Sequence, residues 1–100
     1  MRNGDVVVIR SFRCKETEKI FEGRRSRKFA HEIQTIALRK LQQIHVSERI
    51  DDLKIPPGNR LERLRGNRAG QYSIRVNDQW RICFRWKQRD AFDVEMVDYH

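Results

Sequence analysis

Apolar and polar residues alternate along 71–86, QYSIRVNDQWRICFRW, on both sides of Asn77-Asp78. Tyr72, Ile74 and Val76 share one face before the break, and Trp80, Ile82, Phe84 and Trp86 share one after it. A period of two puts successive side chains on opposite faces of a strand, so the pattern predicts two antiparallel strands with one buried aromatic face. Asn-Asp is expected to form a two-residue turn, because both side chains tolerate a positive φ. The opposite face carries Arg75, Arg81, Cys83 and Arg85.

The β-branched run Val6, Val7, Val8, Ile9, followed by Phe12, predicts a first strand buried on both faces or nearly so. Residues 15–22 fit a short helix with Ile20 and Phe21 inward and Gly23 as its stop. Ala30, Ile33, Ala37, Leu41 and Ile44 recur at helical steps and predict a helix over 30–45, its apolar stripe against the sheet. Residues 47–53 suit one helical turn capped by Ser47 or Asp51, and Ile55-Pro56-Pro57-Gly58 should stop regular structure. A short strand over 61–64, the two-glycine loop 66–70, the hairpin and a last strand over 91–99 complete the chain. In that last strand Phe92, Val94 and Met96 are expected on one face, and Asp93, Glu95, Val97 and Tyr99 on the other. The expected fold is α+β: one domain over 1–100, with a mostly antiparallel sheet of four to five strands and the helices packed on one face.

Charge sharpens the picture. The 100 residues hold 22 Lys+Arg against 14 Asp+Glu, a formal net charge of +8, which favours an anionic partner such as nucleic acid. Cys14 and Cys83 are the only cysteines, with no Cys-x-x-Cys or Cys/His cluster, so no structural zinc is expected and a reducing compartment suits them. No apolar run approaches the ~20 residues of a membrane span, and the start is too short for a signal-peptide core, so a cytoplasmic chain without a membrane partner is expected.

From residue 59 to 86 the bases are all arginine: Arg60, Arg63, Arg65, Arg68, Arg75, Arg81 and Arg85. Guanidinium binds phosphate in a bidentate geometry and stacks on bases, so these residues suit RNA; the bland reading is that half are solvated strand residues. Arg24, Arg25, Arg27 and Lys28 form a second basic run, either a solvated linker or a phosphate or partner contact. The chain continues from the last strand into Asp98-Tyr99-His100. Histidine and tyrosine move protons, and attack of an RNA 2′-hydroxyl on its own phosphate needs only in-line positioning, a proton acceptor and positive charge. A ribonuclease that uses no metal or other cofactor is chemically feasible. His45 has a structural explanation at a helix C-terminus, His31 opens the same helix, and Asp51-Asp52 fits a capped turn better than a metal site.

The segments PPGNRLERLRGNRAGQYSIRVNDQWRICFRW and VEMVDYH closely resemble the HigB (host inhibition of growth B) toxins of the RelE-like superfamily. IRSFRCKETEKIFEG and ALRKLQQI also match, so the resemblance runs from about Val8 onward. It is carried by the combination of L-x-G-x-R-x-G-x-Y-S-I, N-x-x-W-R-I and a terminal D-Y-H. The resemblance implies a RelE-like fold and a ribosome-dependent mRNA endonuclease that cuts in the decoding site of the 70S ribosome without metal. It also implies a helix-turn-helix antitoxin of the HigA type, with operator DNA bound only through the toxin–antitoxin complex. Carried over by position, Arg81, Arg65, Asp98, Tyr99 and His100 are the catalytic candidates, with Arg60, Arg63, Arg68, Arg75 and Arg85 as RNA- or ribosome-binding ones. Glu62 stands where some relatives have histidine, which leaves His100 as the only histidine of the expected site. Relatives open with Met-hydrophobic just before Ser-Phe, so residues 1–7 are expected to be a non-native extension before a start at Val8, or else a longer first strand. A reading from a different class is a non-catalytic nucleic-acid- or antitoxin-binding module on the same fold.

Overall fold

The computed structural model describes residues 9–99. The expectations for Val6–Val8 and for an extension over 1–7, and the placement of His100, lie outside the described residues.

Two helices precede a sheet, as the patterning predicts. Helix α1 spans Lys15–Phe21 and helix α2 spans His31–Val46. Gly23 ends α1 with φ +78°, and the Arg24 amide reaches back to the Lys19 carbonyl at 2.8 Å, a left-handed cap that glycine adopts without steric cost. Gln34 ties the basic loop to α2: its carbonyl accepts from the Ser26 amide at 3.0 Å, and its amide donates to the carbonyls of Ser26 and Phe29. Ala37, Leu41 and Ile44 are fully buried, whereas Ala30 precedes the helix and is exposed.

The strands are β1 Glu62–Arg63, β2 Gln71–Arg75, β3 Trp80–Lys87 and β4 Asp90–Asp98, in the spatial order β1-β2-β3-β4 and antiparallel throughout. The expected first strand is represented among the described residues by two parallel bridges, Ile9 to Ala91 and Phe12 to Val94, along the outer edge of β4. Short 3₁₀ turns at Ile50–Lys54 and Pro57–Asn59 link α2 to β1, so Pro57 opens a turn where no regular structure was expected. The first of these turns is capped by Asp52, whose carboxylate accepts from the Glu48 and Arg49 amides, rather than by Ser47 or Asp51.

Two details of the strands differ from the expectation. The hairpin turn has three residues, Asn77, Asp78 and Gln79, because Val76 closes on Trp80 through an amide-to-carbonyl bond of 2.9 Å. A two-residue turn would pair Val76 with Gln79 and set even-numbered residues against odd ones, putting the apolar residues of the two strands on opposite faces. The extra residue pairs Ile74 with Ile82 and Tyr72 with Phe84. Asn77 holds this turn, its side-chain oxygen accepting from the Gln79 and Trp80 amides at 2.9 and 2.7 Å. The second difference is a bulge: β4 shifts register between Cys83 and Arg85, with Asp93 at φ +54°. It moves Phe92 off the face of Val94 and Met96 and opposite Arg85, and Ala91 takes its place in the core.

The core lies between the helices and one sheet face, where Ile74, Ile82, Phe84 and Val94 are fully buried with Leu41, Ile44 and Leu53. The other face carries Ser73, Arg75, Arg81, Cys83 and Glu95.

Candidate active site

Arg75 and Arg81 are directly opposed across β2 and β3. Two like charges in such register repel unless each is drawn elsewhere. Arg75 turns to Asp78 at 2.5 Å, whose side chain is fully exposed, so this pair remains accessible to solvent. Arg81 turns inward and is only 7% exposed. Its Nε donates to Ser73 Oγ at 2.8 Å, and its Nη2 donates to the Ser73 carbonyl at 3.2 Å and to the Arg60 carbonyl. Glu62 of β1 completes the set at 3.2 Å. Among the described residues Nη1 takes no hydrogen bond. The Tyr99 ring lies 5.6 Å from the guanidinium carbon.

The Arg60 carbonyl reaches Arg81 because Arg60 adopts a left-handed conformation, φ 45° and ψ 57°, as the chain leaves the second 3₁₀ turn. Such a conformation is uncommon for arginine and persists where its surroundings fix it. Here the fixing residue is Asn59, fully buried beside it. Its amide donates to Gln43 Oε1 at 2.9 Å and to the Leu53 carbonyl at 3.2 Å, while its oxygen accepts from Lys40 of α2. Burial, helped by the charges of Arg39 and Arg75, lowers the Lys40 pKa from its ordinary value.

The end of β4 and Tyr99 are held by Gln79. Its carbonyl accepts from the Tyr99 amide at 2.6 Å, and its side chain donates to Asp98 at 3.1 Å. A cleft of about 460 Å³ results, lined by Gly58, Arg60, Arg75, Asn77, Asp78, Arg81 and Tyr99. Cationic walls, a nearly buried guanidinium floor and an aromatic rim suit a phosphodiester with a flanking base.

The structure brings four of the candidates, Arg60, Arg75, Arg81 and Tyr99, into one cleft, with Asp98 adjacent. Arg65 is exposed in the loop after β1, and among the described residues its side chain makes no hydrogen bond or ion pair. Arg63 pairs with Tyr72 and so belongs to the opposite side of the sheet from Arg81. Arg68 and Arg85 lie toward the far end and meet carboxylates: Arg68 pairs with Glu95 at 3.2 Å and Arg85 with Asp93 at 3.4 Å. Sequence reasoning missed Asn59, Lys40, Ser73 and Gln79. Only the turn position of Gln79 gave any signal; a buried polar residue leaves no mark on hydrophobic periodicity.

A family model for the RelE-like toxin of type II toxin–antitoxin system HigB matches residues 10–100. The chain belongs to the HigB-like toxin family. Among its relatives, Toxin HigB-1 of Vibrio cholerae serotype O1 is 42% identical over 76 residues, covering 75% of this chain and 80% of the relative. Endoribonuclease HigB of Proteus vulgaris is 35% identical over 94 residues, covering 93% of this chain and all of the relative. The RelE-like α+β architecture and an antitoxin as partner follow from HigB membership. Among the described residues no helix is long and apolar enough to cross a membrane.

Proposed function

We propose that this HigB-family chain is an endoribonuclease that enters the decoding site of the 70S ribosome, cuts mRNA there without a metal ion, and so stops translation. The observation that carries the reading is Arg81: a guanidinium fixed by Ser73 and the Arg60 carbonyl at the floor of a cationic cleft, with Tyr99 beside it. Preorganised charge of this kind stabilises a transition state better than mobile surface charge, because little reorganisation accompanies the reaction.

Arg81 takes the scissile phosphate and the charge that grows on its oxygens as the 2′-hydroxyl attacks. Arg60 and Arg75 hold flanking phosphates from the cleft walls, and Arg65 adds charge from the adjoining loop. Tyr99 or His100 moves a proton, and Asp98, anchored by Gln79, positions this end of the chain. The name of the Proteus vulgaris relative supports ribonuclease chemistry. A helix-turn-helix antitoxin of the HigA type is the proposed partner, with operator DNA reached through that complex.

One observation favours a non-catalytic binding module: Arg81 already spends Nε and Nη2 on the protein itself. Cleavage of a defined mRNA on programmed 70S ribosomes, with and without His100, separates the two. Cutting by the intact chain that stops when His100 is deleted is expected. Cutting that survives the deletion keeps the enzyme and removes His100 from it; no cutting by folded protein selects the binding module.

A further inference from the structure

A buried serine sits in the middle of the basic run between the helices. Arg24, Arg25, Arg27 and Lys28 are exposed, whereas Ser26 is only 3% exposed. Five hydrogen bonds pin this loop to both helices. The Ser26 amide donates to Gln34 Oε1 of α2, and the Gln34 amide donates to the Ser26 and Phe29 carbonyls. The Ser26 hydroxyl donates to Glu16 of α1 at 2.7 Å and accepts from the Lys28 amide at 3.1 Å. A flexible, solvated linker leaves such groups to water. This loop is instead a folded platform, and holding like charges together on it has a Coulombic cost that an anionic partner offsets.

The nearby acids are engaged elsewhere. Glu16 meets Ser26 and Lys19, and Glu22 meets Arg24 at 3.3 Å. Among the described residues Arg25 and Arg27 meet no carboxylate. A hollow of about 470 Å³ opens among Lys19, Arg25, Arg27 and Lys28, beside Glu16, and no apolar residue lines it. Protein interfaces centre on apolar contacts, whereas a phosphodiester backbone is bound by cations, and guanidinium takes it in a planar fork.

Phe29 fixes where the platform sits. Its ring lies edge-on to Trp80 at 5.0 Å, and Trp80 precedes Arg81 in β3. Consecutive strand residues point to opposite faces, so the platform and the cleft lie on the two sides of one end of the sheet. RNA on the platform is therefore not the strand that occupies the cleft.

We propose that residues 24–28 dock the protein on ribosomal RNA, with Arg25, Arg27 and Lys28 taking backbone phosphates; the proposal rests on the ribosome reading of the function. The toxin then stands between two RNAs. Ribosomal RNA holds its helix side, and the packed path from Ser26 through Phe29 and Trp80 to Arg81 sets where the cleft meets the message.

The test is affinity for vacant 70S ribosomes, without mRNA, from about 50 to about 200 mM salt at fixed magnesium. Wild type is compared with a variant carrying Arg25→Gln, Arg27→Gln and Lys28→Gln together, and with one carrying Arg25→Lys and Arg27→Lys; circular dichroism establishes folding. Each phosphate contact contributes about 0.7–0.9 to the slope of log affinity against log salt, so the glutamine variant should lose about 2 from that slope. Over this range wild type should then lose about 16-fold more affinity than the glutamine variant. The lysine variant keeps the charge and should keep the slope. A folded glutamine variant with the wild-type slope overturns the proposal. So does a slope that falls only on mRNA-programmed ribosomes, which makes the contact one to the message. Unchanged ribosome binding with loss of antitoxin binding overturns it too, and gives the platform to the antitoxin, together with the recess beside Arg25 lined by Ile20 and Leu38. Wild type that binds no ribosome overturns the ribosome reading as well, a different result from wild type and the glutamine variant binding alike.

Discussion

Replacing Arg81 with alanine tests both the site and the way it is built. The side chain supplies three hydrogen bonds, to Ser73 Oγ, the Ser73 carbonyl and the Arg60 carbonyl. At about 1 kcal/mol net for each, their loss costs on the order of 3 kcal/mol of stability. Glu62 is half exposed and rehydrates once its partner is gone, so its ion pair adds little. A domain whose stability is about 5–15 kcal/mol stays folded after such a loss. Loss of one preorganised charge donor costs on the order of 3 kcal/mol in the transition state, about a hundredfold in rate. Urea denaturation reads the first quantity, and single-turnover mRNA cleavage on ribosomes, run well below the variant's melting temperature, reads the second. Arg81→Lys separates the two effects further: it keeps the charge but lacks the planar fork that satisfies Ser73 and the Arg60 carbonyl together. A folded Arg81→Ala protein that cleaves within a few-fold of wild type would refute the assignment of Arg81 to the reacting phosphate. Unchanged denaturation would refute the bracing role.

Asn59→Ala should destabilise the protein by about 2 kcal/mol, since it strips the Leu53 carbonyl and the Lys40 ammonium of partners, and should slow cleavage by releasing Arg60; denaturation and the cleavage assay check both. Phe84→Ala, at a fully buried position, should cost about 3–5 kcal/mol, and Trp80→Ala less, because Trp80 is half-buried and leans edge-on against Phe29 at 5.0 Å; equal denaturation midpoints would reverse the assignment of the core. The Glu16 pKa is lowered first by the Ser26 hydroxyl, at 2.7 Å, and then by Lys19. A depressed folded-state carboxyl stabilises above its unfolded pKa, and that contribution disappears as pH falls through the folded one. Glu16→Gln should therefore flatten the acid limb of the stability–pH curve, and a limb of unchanged slope would remove Glu16 from it.

Period-two and helical spacing located both helices and β2, β3 and β4, because those signals record which side chains leave water, and Leu61 with Leu64 marked the short β1. The same signals could not count the residues in the hairpin turn. Parity could have: Ile74 and Ile82 share a face only if their strands pair with an odd-length turn between them. The bulge at Asp93 was not legible, since a local left-handed residue shifts the pattern by one without breaking it, and Phe92 was placed on the wrong face for that reason. In the site, the arginine content and the Tyr99 end were readable as chemistry. The near-burial of Arg81 was not, because arginine at an alternating position looks exposed until a hydroxyl and a left-handed carbonyl are found beneath it. Asn59 fixes that carbonyl from a loop with no periodicity at all.

The parallel lane along the edge of β4 imposes an order on the protein's own birth. Ser11 receives its partner Asp93 only 82 positions later, whereas β1, β2 and β3 each meet their sequence neighbour. At about 5–20 residues per second, the segment around Ile9–Phe12 waits several seconds for the strand it lies against. Tyr99 arrives after that strand, so the cleft around Arg81 is finished last. A toxin assembled in this sequence completes its cleft only at the end, and its antitoxin has until the final strand emerges to be waiting.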